Sequence, residues 1–379
     1  MDGFHAGTVA QQHTDLTVPS IGFATVVART YNGAAAGTAG PFGYGWAWSY
    51  GMHVTTGSGT ATVVREDGRA DTYTLSGSSY APPPGVYDQL ALNADGSFTF
   101  IRTDQITYGF SAAGLLQQIA DLNGNTLHIT YSGTAPSGIV DTAGRNWTIQ
   151  TDGSGRVTAI TDPASRTVRY GYSQAGDLVS VTDPMQGVTQ YAYDSSHRLS
   201  QVTDPDNHST SYAYDGNGRV ASVTDADANV STFAYDPGNL RTTVTDPRTN
   251  PRSYSLDTRN RVTAVTDAFG KSDMATWDAS NNRIATTDRN GNITSYVYDS
   301  NGNVTLVTDA KQGQTVTTYD AANHPTSRND ADQNKTTYAY DGNGNLTSVT
   351  DAVPDVTHYT YDARGQRLTT VDANSNTTT

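Results

Sequence analysis

Aspartate is the residue type with the densest chemical potential in this chain. Asp215-Gly-Asn-Gly-Arg219, Asp288-Arg-Asn-Gly-Asn292, Asp299-Ser-Asn-Gly-Asn303 and Asp341-Gly-Asn-Gly-Asn345 begin like the Asp-x-Asn-x-Asn of a calcium loop. An EF-hand also needs a following glycine and a bidentate acid at position twelve, and none of the four supplies them. Asx-turn capping is therefore their expected role, with weak calcium binding as the alternative and no cofactor expected. Paired carboxylates about 5 to 9.5 Å apart could cleave a glycoside, but here the pair recurs along most of the chain, so catalysis is not needed to explain it. Gly171-Tyr-Ser-Gln-Ala175 nearly matches the Gly-x-Ser-x-Gly nucleophile elbow, which requires a strand-to-helix turn. Ser173 instead falls between two strand-like runs. The eight histidines show no His-x-x-x-His spacing, and triplets such as Asn292-Ile-Thr294 follow from composition alone. No catalytic residue and no metal ligand is assigned.

Aromatic residues are the second source of binding chemistry. Tyr191/Tyr193, Tyr212/Tyr214, Tyr296/Tyr298, Tyr338/Tyr340 and Tyr359/Tyr361 are spaced by two, so on a strand each pair projects to one face. Pairs from neighbouring strands then align into ladders. Trp46 and Trp48 repeat the spacing. As structure, these rings cover a buried sheet face. As function, the same twelve residues would line a cavity around a polypeptide or stack on sugar rings.

The elements that must position these side chains are β-strands. Of 37 acidic residues only Glu66 is glutamate, and the chain carries 36 glycines and 23 tyrosines. Aspartate and glycine favour turns and tyrosine favours strands, which argues against helix. The net charge of −14 excludes a role built on phosphate neutralisation, so no nucleic-acid partner is expected. The absence of cysteine excludes disulfides and thiolate-bound metal. No apolar run approaches the roughly 18 residues of a membrane span. Met1-Asp2-Gly3-Phe4-His5 has neither a basic nor an apolar leader segment, so an export signal lies elsewhere or is not used.

Asp141, Asp162, Asp183 and nine further aspartates through Asp372 recur every 21 residues. A second column runs from Asp152 to Asp362 with Ser173 as its one non-aspartate, and a tyrosine precedes most of its members. Tyr212-Ala-Tyr-Asp-Gly-Asn-Gly-Arg-Val-Ala-Ser-Val-Thr-Asp225 reads as strand, turn, strand, turn. Each 21-residue unit is thus two strands, and stacked units make a long, twisted antiparallel sheet. With 35% hydrophobic residues, a single curved layer lined by tyrosine is expected, not a thick sandwich. The chain stops in mid-unit at Asp372-Ala-Asn-Ser-Asn, as a fragment or processed product would. Residues 1–110 are β-like without this period. Thr60–Val64, Asp71–Leu75 and Ser97–Ile101 alternate as strands, and Gly40-Pro-Phe-Gly-Tyr-Gly-Trp-Ala-Trp-Ser-Tyr-Gly51 reads as an aromatic strand threaded with glycines.

The Tyr-Asp-x-x-Gly-Arg-Val/Leu-x-x-Val-Thr-Asp pattern over residues 111–379 resembles the YD repeat of bacterial Rhs and wall-associated proteins, toxin-complex C components and teneurins. Gly40-Pro-Phe-Gly43, Gly45-Trp46, Asp67-Gly68-Arg69 and Asp121-x-Asn123-Gly-Asn125 are similar to the segment preceding those repeats in Rhs proteins. Some units depart from the pattern, as at Asn282-Arg283-Ile284, His324-Pro325 and Gln366-Arg367-Leu368. The resemblance implies an all-β fold: a β-spiral or shell of 21-residue units (111–379) after a non-periodic β domain (1–110). It further implies a secreted or cell-surface structural shell enclosing or presenting a C-terminal effector polypeptide. An adhesin or carbohydrate-binding module meeting a surface glycan or protein is the alternative, and a polysaccharide-active enzyme the third.

Overall fold

The computed structural model describes residues 7–77 and 79–379; the start read above, Met1 to His5, lies outside them. Among the described residues there is no α-helix. One antiparallel meander runs from His53–Gly57 to Thr377–Thr378, each strand pairing only with its neighbours in sequence. It crosses residue 110 without a break, through the paired strands Thr107–Phe110 and Leu116–Ala120. A separate three-stranded sheet is formed by Ala10–Val18, Thr25–Asn32 and Trp46–Trp48.

The aromatic, glycine-rich stretch is not one strand. It splits into the ribbon Ala39–Gly40/Gly43–Tyr44 and the short strand Trp46–Trp48, because Gly43 and Gly45 both adopt positive φ. That conformation interrupts a strand and is open mainly to glycine.

The sheet begins as a ring. His53 bridges Leu115, and the Val54 N–H donates to the Gly114 carbonyl at 2.9 Å, closing the strands between residues 53 and 120. Among the described residues no pairing joins the last strand, Thr377–Thr378, back to the first, so the ring is the start of a spiral. Gly114 makes the closure: at φ +79°, a Cβ there would sit 1.9 Å from the Val54 oxygen. Met52, Val63, Tyr73, Phe100, Phe110 and Leu116 fill the ring, each no more than 2% exposed.

After the ring the sheet widens and returns over its own start. Loops of the first winding meet turns of a later one, 195 to 239 residues on. Tyr87 donates to Asn282 Oδ1 at 2.8 Å, and Asn281 Nδ2 donates to the Pro84 carbonyl at 2.8 Å. Asn323 Nδ2 donates to the Thr103 carbonyl, Asn123 and Asn345 exchange amide hydrogen bonds, and Asn125 Nδ2 reaches the Arg364 carbonyl. These contacts form a polar seam between windings.

Candidate functional site

Both aspartate columns build the same turn. In the turn at Asp215, Oδ1 accepts the N–H groups of Asn217 and Arg219 at 2.9 Å, while Oδ2 takes the Arg219 guanidinium. Gly218 supplies the positive φ. The backbone N–H of Arg219 is the chief reason the Asp215 carboxyl lies below the ordinary aspartate range; at Asp225 the Asn229 amide leads. In the calcium-like segments the turn also engages both carboxylate oxygens, as with Asn290, Asn292 and the Asn292 amide at Asp288. Among the described residues, Asp204, Asp206 and His208 are the one group whose ligand-type atoms lie within 4.8 Å of one another. They sit on an exposed turn with His208 Nδ1 already on Asp204.

Ser173 takes the aspartate's place in one turn, accepting the Asp177 N–H. Asp177 is the centre of that cluster. One carboxylate oxygen faces Ser173 and the other binds His197 Nδ1 at 2.6 Å, and among the described residues no histidine touches the serine hydroxyl. A base on the nucleophile, which an elbow serine needs, is not in place.

The tyrosine before each second-column turn is a strand lock. Its hydroxyl donates to the carbonyl fifteen residues earlier: Tyr172 to Val157, Tyr193 to Leu178, Tyr214 to Leu199, Tyr298 to Arg283, Tyr340 to Pro325 and Tyr361 to Leu346. Trp277 does the same through Nε1, to Val262. Each lock spans a β-bulge, such as Ala213/Tyr214, which frees the carbonyl that the phenol satisfies. The hairpin before Leu256 has no bulge: Asp236-Pro237-Gly-Asn239 forms a 3-10 turn, Tyr235 and Asp236 pair in register with Thr242 and Arg241, and there the Leu256 N–H itself bonds the Leu240 carbonyl. The locking pattern depends on neutral phenols. Burial pushes Tyr131 and Tyr235 up to about 12.

Directly paired residues share a face, and the pairing traces one face through the whole sheet. The rows Tyr108–Ile119–Leu127 and Ile149–Ile160–Val168 lead to Tyr191–Val202–Thr210 and then to Tyr296–Val307–Thr315. This face fills the ring, so it is the interior of the spiral.

Up to Val220 the interior is covered by the three-stranded sheet. The Trp46 indole donates to the Tyr193 hydroxyl at 2.8 Å and stands edge-on to Tyr191, with ring centroids 5.3 Å apart. Tyr31 donates to the His197 carbonyl and accepts the Leu199 N–H, while Gln11 reaches the Tyr212 hydroxyl. At its centre Arg29 grips Asp15 through two hydrogen bonds, and Tyr170 donates to the same carboxylate at 2.8 Å. Arg29 is 1% exposed. No fully buried apolar side chain occurs after Val220 among the described residues.

The twelve aromatic candidates therefore part into two groups. Trp46, Trp48, Tyr191 and Tyr212 are buried, and Tyr193 and Tyr214 are half-buried beside them under the same cover. Trp48 packs against Phe42 and Tyr50, away from the tyrosine ladder. Tyr296, Tyr298, Tyr338, Tyr340, Tyr359 and Tyr361 are half-buried on the uncovered interior. Tyr296 and Tyr298, with Tyr87, Asp278, Asn282 and Asp299, line a cleft of about 490 Å³ at the seam.

Asp15 and Arg29 were not singled out from sequence; Asn123, Asn125, Asn282 and Asn345 were, as motif, turn or departing residues and not as contacts between windings. The seam has a signal nonetheless. Four residues after the second-column aspartate, Arg156, Arg198, Arg219 and Arg261 pair with that aspartate and lie over an aromatic ring at 4.4 to 5.6 Å. Where the turns meet the first winding the position holds Asn282, Asn303 or Asn345, and His324 and Gln366 stand in the same series. The departures from the repeat pattern coincide with the seam.

Seven stretches of the chain match the RHS repeat, at residues 152–184, 172–210, 193–230, 214–251, 277–315, 319–356 and 340–377, together more than half its length. Residues 4–73 match a domain of unknown function, DUF6531. The tRNA nuclease WapA of Bacillus subtilis strain 168 is 30% identical over 127 residues, covering 33% of this chain and 5% of WapA. A TcdB2–TccC3 crystal structure shares the fold with TM-score 0.52 at 15% identity, covering 80% of this chain and 20% of the solved one. The Photorhabdus luminescens Tc holotoxin pore gives TM-score 0.53 at 14% identity, with 92% and 20% covered. The chain thus spans about a fifth of those solved chains and a twentieth of WapA. With its repeats, turns and spiral in agreement, this chain belongs to the RHS-repeat family.

Proposed function

We propose that this chain is a wall segment of a hollow β-shell that encloses or presents an effector polypeptide, in a protein secreted or delivered to the cell surface. One observation carries the reading: the interior face, sealed up to Val220, continues uncovered through the later repeats while the windings join edge to edge at the seam. Joining windings removes exposed strand ends and makes a barrier instead of a ribbon. The TcdB2–TccC3 likeness in fold and the partial match to WapA, a tRNA nuclease, agree with a wall built beside a toxic activity. Among the described residues no helix is long and apolar enough to cross a membrane.

The test is protease protection of the natural gene product, with intact mass and peptide mapping beyond Thr379. Enclosure predicts a stretch outside the repeats that survives digestion with the wall intact and is cleaved in Gly114→Val. Equal cleavage in both proteins refutes it.

The seam cleft favours a second reading, carbohydrate binding, because its tyrosines lie beside Asn282 and Asp299. Loss of glycan binding in Tyr296→Ser/Tyr298→Ser, with the melting curve preserved, would support it.

A further inference from the structure

The uncovered interior carries unpaired positive charge in a chain of net charge −14. Arg252 pairs with Val244, Arg283 with Trp277, Arg328 with Thr317 and Arg367 with Tyr361, which places all four on the tyrosine face. All four are exposed, and among the described residues none has a carboxylate at ion-pair distance. Arg252, Arg283 and Arg367 lie 5.6 to 5.8 Å from the rings of Tyr254, Tyr296 and Tyr359. Of the acids near this face, Asp273 is taken by Arg289, while Asp278 and Asp299 in the turns at its rim are held by the amides of Asn282 and Asn303. By contrast Arg156, Arg198, Arg219 and Arg261 are each neutralised by the aspartate of their own turn.

Across the sheet the strands that carry these arginines are three apart at the first step, about 14 Å, and four apart at the next two, about 19 Å. No small anion bridges such distances, so the charges suit a macromolecule. The floor between them holds Val265, Trp277, Val307 and Val349 beside the tyrosines, and tyrosine with arginine over an apolar floor is the composition of protein-binding surfaces. The covered half of the same face shows such an occupant already: a polypeptide sheet that brings the Asp15 carboxylate to the Tyr170 hydroxyl.

We propose that the interior face of the later repeats binds a carboxylate-rich polypeptide segment, held by Arg252, Arg283, Arg328 and Arg367. This rests on the shell reading for its occupant, but the binding chemistry is tested apart from enclosure. Labelled poly-L-glutamate is titrated against the 379-residue chain, with poly-L-lysine and polygalacturonate as comparison probes. Poly-L-glutamate is expected to bind best, with affinity that falls as salt rises.

Replacing the four arginines by glutamine should weaken binding about tenfold or more, the scale of several surface charge pairs. A matched variant, Arg169→Gln/Arg248→Gln/Lys335→Gln/Arg364→Gln, should retain it; circular dichroism confirms that both fold. Equal affinity in the two variants, or preference for poly-L-lysine, overturns the proposal. Polygalacturonate binding as tightly as poly-L-glutamate overturns it in favour of an anionic glycan. A failure here with protease protection intact refutes this surface and leaves the shell; the reverse pattern refutes the shell and leaves the surface.

Discussion

The repeats up to Val220 and those after it are built from one turn and one strand pairing, yet they are stabilised differently. In the first region a second layer covers the interior, and Val157, Leu178, Leu199 and Val220 are 0% exposed. In the second the corresponding Val304, Pro325 and Leu346 are half-buried, and Arg283 and Arg367 occupy the same position. Local hydrogen bonding, repeated in every unit, sustains the second region; burial does the larger share in the first. A repeat sheet thus does not need a conventional core once its start is nucleated by a filled ring.

The comparison breaks most visibly at matched positions. Asp15→Ala should cost about 3–5 kcal/mol, because it strands the Arg29 charge among Trp46, Tyr170 and Tyr191. No site after Val220 offers an equivalent among the described residues. Leu199→Ala should cost about 2–5 kcal/mol by leaving a cavity. Leu346→Ala, at the same repeat position, should cost about 1 kcal/mol, since its site is already partly wet. Equal costs for the two leucines in urea denaturation would erase the distinction between the regions.

The locks sharpen it further. Tyr193→Phe leaves the Leu178 carbonyl and the Trp46 indole without a partner under cover, an expected loss of about 1–3 kcal/mol. Tyr340→Phe exposes the Pro325 carbonyl where water can replace the phenol, and about 0.5–1 kcal/mol is expected.

The turns make the smallest contribution each, and turns of this kind occur in both regions. Asp215, Asp225, Asp246, Asp288 and Asp372 all have carboxyls below the ordinary value. A lowered folded pKa stabilises above the unfolded value, near 3.9, and that stability is lost as pH falls through the folded value. These turn carboxylates should therefore leave stability unchanged down to about pH 4 and lower it below that, in both regions; His13, whose pKa is lowered chiefly by burial, makes the first region also lose stability as pH falls below about 6.5. The raised tyrosines give the opposite sign: their contribution is full below about pH 10 and falls as pH rises toward 12.

Strands and turns were legible in the sequence because each is decided within a few residues. Asp215 and Gly218 fix a turn, and Tyr212 with Tyr214 fix a face. The tyrosine face was legible as well, though not that Tyr191 and Tyr212 would lie under a second sheet while Tyr338 and Tyr359 would not. That cover comes from Trp46, Tyr31 and Gln11, whose partners stand 147 to 201 residues away, and no local rule reaches so far. The winding depends on accumulated sheet curvature, which one repeat does not encode. Its trace survives as Asn282, Asn303, His324, Asn345 and Gln366 where arginine stands in other units.

The absence of cysteine permits a direct test of the winding. In Asn123→Cys/Asn345→Cys the two thiols replace side chains that hydrogen bond to each other across 222 residues. A short bismaleimide should join them within one chain, as a band of altered mobility on a denaturing gel. Asn123→Cys/Asn229→Cys should give none. Crosslinking of the first pair confirms that the later repeats return to the rim of the initial ring. Failure of that pair, with both cysteines reactive toward a monofunctional maleimide, would contradict the spiral.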